Sequence, residues 1–255
     1  KRLIQESVGK ATVESAPLFL KRVVGYTFLF EGIGAVLLFV RFVSMTDVSE
    51  ALWFAVFHSV SAFCNAGLDL LGSTSLVGYA NDWYLNLVIM ALIVCGGLGF
   101  TVWFDLSDKL TNRSKRKLRY HTVVVLKLTG ILTVLGMVLF MMTEWSNPGT
   151  LADLNFADKT LVSLFQSVTL RTAGFSTVNY ATLREVTKLM MLVFMLIGGS
   201  AGGTAGGIKT TTVLVLLLYF MNVRHSKNDV VYRKRRISVA LFTKAFYLVS
   251  MYGIV

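Results

Sequence analysis

The chain has 255 residues, of which 55% are hydrophobic and only 15% charged, and its formal net charge is +11. A soluble domain carries about a quarter charged residues, whereas the apolar residues here come in runs close to the roughly 20 residues that cross a bilayer, which excludes an ordinary soluble protein. The basic residues cluster beside these runs, at residues 107–121 and 223–236, so the charge follows the positive-inside rule of membrane proteins and no nucleic-acid partner is expected.

The apolar runs divide the chain into two similar units. In each unit the pattern predicts a long span, a short apolar helix, a polar loop with a glycine, and a second long apolar region. The predicted segments are, in chain order, a cytoplasmic lead-in (1–22), a helix–pore-loop–helix repeat (23–105), a basic cytoplasmic loop (106–120), a second helix–pore-loop–helix repeat with a glycine-rich broken helix (121–222), a second basic cytoplasmic loop (223–236) and the start of a further membrane helix (237–255). The charge pattern predicts that the N-terminus lies inside and both pore loops outside.

In the first repeat, spans are predicted over residues 23–43 and 83–104, with a short helix over residues 50–63 between them. Such a short helix cannot cross a bilayer and is typical of a re-entrant element. Glu31 interrupts the first span, where an ionisable group is costly. We expect it to pack or pair in support of the pore loop; a cation-attracting group and a protonated bystander are the alternatives.

In the second repeat, a span is predicted over residues 121–143, a short helix over 158–170 and a long apolar region over 186–221. The last region is too long for one straight span. It also contains six glycines between residues 198 and 207, each of which costs a helix about 1 kcal/mol relative to Ala. The sequence therefore predicts a broken helix. The alternative is tight helix packing, because pairs of glycines four residues apart also fit that pattern.

A short phrase ends each of the two short helices. Phe57-His58-Ser59-Val60-Ser61 begins the first copy and Phe165-Gln166-Ser167-Val168-Thr169 the second, 108 residues later, and each leads to Ala-Gly and an apolar residue. Backbone carbonyls in such loops can replace the water shell of a cation, and glycine permits the backbone conformations required. An internal repeat in matching topology predicts two pore loops. Two ordinary outer loops with a glycine turn are the alternative.

These motifs resemble those of the Trk/Ktr/HKT superfamily of potassium transporters, and in particular the bacterial, KtrB-like membrane subunit. The resemblance is carried by Asn65-Ala66-Gly67-Leu68, by Arg171-Thr172-Ala173-Gly174-Phe175 and by the glycine-rich run that ends in Ile208-Lys209-Thr210. It implies an all-α multi-span membrane protein, in which four helix–pore-loop–helix units surround a pseudo-fourfold pore. This chain would supply the second and third units and the start of the fourth.

The resemblance also assigns the site residues. The implied selectivity filter consists of Asn65, Ala66, Gly67, Leu68, Thr172, Ala173, Gly174 and Phe175. The implied intramembrane gating loop consists of Gly198, Gly199, Ser200, Ala201, Gly202, Gly203, Thr204, Ala205, Gly206, Gly207 and Lys209. Leu68 departs from the pattern, because an aromatic residue often follows the filter glycine; we expect its side chain to pack behind the filter.

Several side chains near these motifs carry expectations of their own. Arg171 is expected to anchor the second pore loop through carbonyls or a carboxylate, and Lys209 to place a positive charge near the ion path. The hydroxyl groups expected to hydrogen-bond the backbone freed by the broken helix are those of Ser200, Thr204, Thr210 and Thr211. A phosphate-binding loop is disfavoured, because Ile208 separates Gly207 from Lys209.

The outer segments carry carboxylates, at Asp47, Glu50, Asp69 and Asp82. Their field would concentrate cations at the outer mouth of a pore; a solvated outer surface is the alternative.

The predicted function is potassium uptake across the plasma membrane. The protein is expected to be a transporter that is not an enzyme and needs no cofactor. Its expected cargo is potassium, and whether sodium also takes part is left open. By resemblance, the partners are a second copy of the chain and a cytoplasmic ring of nucleotide-binding regulatory subunits. Anionic lipid headgroups would satisfy the same basic loops. The alternative function is a membrane subunit of a sodium-transporting or ATP-driven cation pump assembly.

Overall fold

The computed structural model describes residues 16–72, 74–111, 117–224, 231–232, 235–236 and 247. Most of the predicted lead-in, of the second basic loop and of the helix expected over residues 237–255 lies outside these ranges.

The described chain is helical, as predicted. The helices are α1 (Ala16–Phe42), α2 (Val48–Phe63), α3 (Trp83–Leu98), α4 (Phe100–Leu110), α5 (Tyr120–Glu144), α6 (Phe156–Thr169), α7 (Glu185–Leu196) and α8 (Thr210–Arg224). Single 3₁₀ turns lie at Val77–Tyr79 and Tyr180–Thr182. Two residues of β1 (Val231–Tyr232) pair in antiparallel fashion with β2 (Arg235–Arg236).

Two of the described helices, α1 and α5, are long and apolar enough to cross a membrane. α1 exposes apolar side chains on most of its surface, among them Phe28 and Val36, and a helix that is hydrophobic all round is typical of a membrane span. It begins at Ala16, earlier than the predicted span. A salt bridge of 2.5 Å between Arg41 and Asp82 ties its C-terminal end to the start of α3.

The second predicted span, over residues 83–104, is not one straight helix but two apolar helices joined at a sharp bend. α3 ends at Leu98, and α4 leaves it at an angle of 97°. The residue between them, Gly99, has a φ of 89°, which is strained for any residue with a Cβ. A Cβ there would also lie 2.8 Å from the carbonyl oxygen of Ala201. The bend therefore makes room for the glycine-rich segment of the second repeat.

The two short helices pack inside the arrangement of longer ones. α2 lies against α1 and α3, and α6 lies against α5 and α3. One cluster of buried side chains joins the two repeats, with Phe63 from the end of α2 and Phe165 and Phe175 from the second repeat. The ends of α2 and α6, and the loops that follow them, are thereby held side by side.

The fourth apolar region is broken, as predicted. α7 stops at Leu196 and α8 begins at Thr210. Between them the chain forms a loop whose neck is closed by a parallel bridge between Ile197 and Ile208. We call residues 198–209 the glycine loop.

Candidate functional site

The two pore loops have left-handed backbone at the same two positions. Gly67 and Gly174 have φ values of 70° and 93°, and the residues two positions earlier, Asn65 and Thr172, have φ values of 53° and 63°. Among the described non-glycine residues only Ser75 is also left-handed. Left-handed backbone at a non-glycine residue is uncommon and tends to occur at functional sites. The repeat seen in the sequence is therefore a repeat of backbone geometry.

Matched serines fasten each short helix to the span before it. Ser59 Oγ donates to the carbonyl of Glu31 on α1, and Ser167 Oγ donates to the carbonyl of Thr133 on α5, both at 2.7 Å. A glycine stands opposite each serine, since a Cβ at Gly34 or Gly136 would collide with its hydroxyl group.

A second matched pair holds the chain just after each filter glycine. Ser61 Oγ donates to the carbonyl of Leu68, and Thr169 Oγ1 donates to the carbonyl of Phe175, both at 2.6 Å. These two carbonyls are therefore occupied by the protein itself.

His58 and Gln166, which occupy equivalent positions in the two phrases, both fix the chain beyond the filter. His58 Nε2 accepts from the Leu70 N–H at 3.3 Å, while Gln166 Nε2 lies 3.2 Å from the hydroxyl of Thr177. His58 Nδ1 also lies 2.7 Å from the carbonyl of Phe54. Both ring nitrogens of this buried histidine thus have protein partners, and no three His, Cys, Asp or Glu residues in the described ranges could hold a metal ion.

The two filter segments lie in contact with each other. A Cβ added at Gly67 would lie 2.5 Å from Gly174 Cα and would collide with the carbonyl oxygen of Ala173. No hydrogen bond from the described part of the chain reaches the carbonyl oxygens from Asn65 to Gly67 or from Thr172 to Gly174. Three successive carbonyls in each repeat thus accept no hydrogen bond from the described residues, and carbonyl oxygens are the kind of ligand that suits an alkali cation.

The glycine loop packs on the bend between α3 and α4. The Ser200 N–H donates to the Gly97 carbonyl at 2.8 Å, and the Phe100 N–H donates to the Gly202 carbonyl at 3.1 Å. A Cβ at Gly203 would lie 2.8 Å from the carbonyl of Gly96, so the two backbones approach closely. The N–H groups of Ser200 and Thr204 are thus used in packing the loop on this bend.

The glycine loop also contacts both filter segments. Thr204 Oγ1 lies 2.8 Å from the carbonyl of Phe63 and 3.0 Å from Asn65 Oδ1. The Gly206 N–H donates to Thr172 Oγ1 at 2.8 Å. The structure thus brings together the predicted filter and the predicted gating loop, which are more than 130 residues apart at the Thr204 contact.

Two expectations about individual filter residues differ from the structure. Leu68 was expected to pack behind the filter, but its side chain is 64% exposed in this chain, whereas Phe175 at the equivalent position is fully buried. Arg171 is only 5% exposed, yet its Nε has no partner and no described ion pair involves it. The expected anchoring contact with carbonyls or a carboxylate is therefore not made within the described ranges.

The remaining polar side chains singled out in the sequence differ in whether they have a partner within the described residues. The Glu31 carboxylate lies 3.7 Å from Cys64 Sγ, and Lys209 Nζ donates to the carbonyl of Ala205 at 2.7 Å. Of the hydroxyl groups expected to hydrogen-bond the freed backbone, that of Thr204 bonds the carbonyl of Phe63 in the first repeat instead, and those of Ser200 and Thr210 have no partner in the part of the chain that the structure describes.

The carboxylates predicted at the outer mouth are not all free to attract cations. Asp82 pairs with Arg41 and also accepts the Leu85 N–H at 3.0 Å as the N-cap of α3. Asp69 accepts the Leu71 N–H at 3.2 Å. Asp82 is therefore a structural residue.

Sequence reasoning missed Glu144, a fully buried carboxylate at the end of α5. It accepts hydrogen bonds from Asn147 Nδ2 at 2.5 Å, from Thr150 Oγ1 at 2.7 Å and from the Arg184 N–H at 3.0 Å, and also from Thr187 Oγ1. It thereby joins α5 to the start of α7 on the far side of the pore loop. Its place at the end of an apolar span, just before a predicted turn, was the signal that the sequence offered.

Comparisons with known proteins agree with this arrangement. The sequence model of the TrkH family, described as "Cation transport protein", matches residues 1–255. The chain is 36% identical over 245 residues to "Ktr system potassium uptake protein B" of Bacillus subtilis (strain 168), covering 96% of this chain and 54% of that protein. It is 40% identical over 186 residues to "Potassium/sodium uptake protein NtpJ" of Enterococcus hirae, covering 73% of this chain and 40% of that protein.

Among solved structures, the potassium transporter TrkH from Vibrio parahaemolyticus has a similar fold, with a TM-score of 0.72 at 21% identity. The match covers 97% of this chain and 51% of that one. The chain spans about half the length of the relatives it matches.

Proposed function

The chain belongs to the TrkH family of cation transport proteins, and on this basis we propose that it forms part of a potassium-uptake pore in the plasma membrane. The observation that carries the proposal is the pair of pore loops with equal backbone conformation, whose glycines touch and whose free carbonyls lie at the ends of two re-entrant helices. Two potassium-uptake relatives support the choice of cation.

The proposed mechanism is an exchange of ligands. A cation that enters the filter loses water, and carbonyl oxygens from Asn65 to Gly67 and from Thr172 to Gly174 replace part of that shell. Residues outside this chain supply the remaining ligands, since the chain spans half of its relatives. Non-helical backbone at this depth is tolerated where it lines a watery cavity, which is the role proposed for both segments.

We propose that the glycine loop obstructs the path on the inner side of the filter. It lies between α7 and α8 and is hydrogen-bonded to both filter segments, which supports a position next to the filter. The ammonium group of Lys209 would repel cations while the loop is in place. Flow then follows the electrochemical gradient whenever the loop moves, without covalent chemistry.

The test is ion flux in liposomes that contain the full-length protein, measured with potassium and with sodium separately. We expect faster potassium flux, and loss of the preference when Gly67 or Gly174 is replaced by Ser. Equal permeability to both ions, unchanged by either replacement, would refute the filter assignment.

Sodium as a further cargo is the second candidate, because one relative is named a potassium/sodium uptake protein. If sodium is carried in addition, sodium flux in the same liposomes should be saturable and should compete with potassium. Sodium flux no greater than that of protein-free liposomes would exclude it.

The partners proposed for the full-length protein are a second copy of itself and a cytoplasmic regulatory ring of nucleotide-binding subunits. The basic loops of residues 106–120 and 223–236 are the proposed contact, with the N-terminus of the chain also inside; anionic lipid would compete for them. Relatives named as components of a Ktr system support the regulatory partner. Cross-linking from cysteines placed in these loops tests it.

A further inference from the structure

The glycine loop is hydrogen-bonded to the equivalent position of each filter segment. Thr204 contacts Asn65, and Gly206 contacts Thr172. Asn65 and Thr172 each stand two residues before a filter glycine. Different groups of the loop make the two bonds. The hydroxyl group of Thr204 bonds to the first repeat, and the backbone N–H of Gly206 bonds to the second. One loop thus has a separate contact with each of two otherwise equivalent segments.

These contacts fall on backbone that needs support. Asn65 and Thr172 are both left-handed. Asparagine tolerates this conformation, but a β-branched residue such as threonine adopts it only where the surrounding structure holds it. Thr172 is half-buried, and its hydroxyl accepts from the Gly206 N–H at 2.8 Å. The glycine loop is therefore one of the groups that keep the second filter segment in its conformation.

The contact with the first repeat is closely packed. A Cβ at Gly96 would collide with the Phe63 carbonyl and would lie 2.5 Å from Thr204 Oγ1. The Thr204 N–H also donates to the Gly96 carbonyl at 3.1 Å. Gly96 thus leaves just enough space for the Thr204 hydroxyl to reach the end of α2 and the Asn65 side chain.

From these contacts we propose that Thr204 and Thr172 are positioning residues that couple the glycine loop to the selectivity filter. With the loop in the position seen here, each filter segment has a hydrogen-bond partner at its left-handed residue. When the loop moves, both partners are lost together. The position of the gate and the conformation of the filter are therefore linked. This inference rests on the proposed pore function, because it assigns roles within the same site.

The test uses four single variants of the full-length protein in liposomes, together with a double variant that combines Thr204→Val and Thr172→Val. Thr204→Val and Thr172→Val remove one coupling hydroxyl each with little change of shape, and Thr204→Ser restores the hydroxyl. Thr210→Val is the matched control, because that threonine is only 2% exposed and its hydroxyl has no partner among the described residues. Basal potassium flux without regulatory subunits and the potassium-to-sodium flux ratio are both measured.

Both coupling variants should raise basal potassium flux and lower the potassium-to-sodium ratio. Loss of one hydrogen bond is expected to favour the displaced loop by about two- to tenfold, and the double variant by the product of the two factors. Thr204→Ser and Thr210→Val should behave as wild type. A change in the ion ratio is the readout that a role confined to loop stability would not give.

The outcomes are separable. If wild type carries potassium selectively, and both coupling variants match Thr210→Val in basal flux and ion ratio, the coupling is refuted and the proposed function stands. If wild type itself carries no potassium, the proposed function is refuted, and the coupling proposal that rests on it is refuted as well. Should Thr204→Val not be recovered as folded protein, Thr172→Val decides alone, since it breaks the bond to the other filter segment.

Discussion

Replacing Gly67 by Ala should distort the filter for two reasons. One is backbone strain, and the other is a collision between the two filter segments. The left-handed φ of 70° costs a residue with a Cβ about 1–2 kcal/mol. The added carbon would also lie 2.5 Å from Gly174 Cα, whereas carbon atoms pack at about 3.5–4.0 Å. Because both partners are backbone, the two filter segments must move apart by about 1 Å or more, at a further cost of about 1–3 kcal/mol.

Two glycines provide controls for this substitution. Gly72 has a φ of 109° but nothing within 4 Å of an added Cβ, and Gly78 has neither a left-handed φ nor a close neighbour. Gly72→Ala therefore measures strain alone. The assay is the potassium-to-sodium flux ratio in liposomes, with thermal stability of the detergent-solubilised protein measured in parallel. We expect only Gly67→Ala to lower the ratio. If Gly67→Ala and Gly72→Ala are equal in both measurements, contact between the segments does not matter and the reasoning is wrong.

Three further substitutions test other contacts. Glu144→Gln replaces a buried acceptor of four hydrogen bonds by a group that also donates, so we expect a loss of about 2–3 kcal/mol and a lower thermal midpoint, whereas exposed Glu185→Gln should leave the midpoint unchanged. Lys209→Gln should raise basal potassium flux by removing a positive charge near the path; unchanged conductance and regulation would contradict this role. Gly99→Ala should displace the glycine loop and raise basal flux, and Gly130→Ala, with no close neighbour, should not.

The sequence was sufficient for the order of helices, because apolar runs and glycine clusters depend on local composition. The bend at Gly99 was missed even though Gly96, Gly97 and Gly99 lie within four residues. The same reasoning that predicted a break at residues 198–207 applies to this cluster. Because the residues around this cluster are apolar, the sequence was interpreted as one continuous membrane span. The glycine loop, which approaches this bend closely, belongs to the other repeat and could not be connected with it from the sequence.

The roles of single polar side chains were harder to predict, because they depend on partners distant in sequence. Thr204 looked like one of four equivalent hydroxyl donors, yet only its location beside Phe63 and Asn65 distinguishes it from Thr210. Leu68 and Phe175 occupy the same place in the repeat but differ completely in exposure. A repeat in sequence thus predicts similar backbone conformations, but it does not predict that equivalent side chains are equally buried.

The glycine loop cannot be assigned to one repeat alone, and this has a consequence for the gate. It arises between α7 and α8 of the second repeat, but it is bonded to the bend after α3 and to the filter of the first repeat. Any movement that clears the path must break contacts in both repeats at once. In the proposed mechanism the bend at Gly99 is therefore as much a part of the gate as the loop itself. Substitutions at either place should therefore raise basal flux and, because displacing the loop breaks its contacts with Asn65 and Thr172, should also lower the selectivity for potassium.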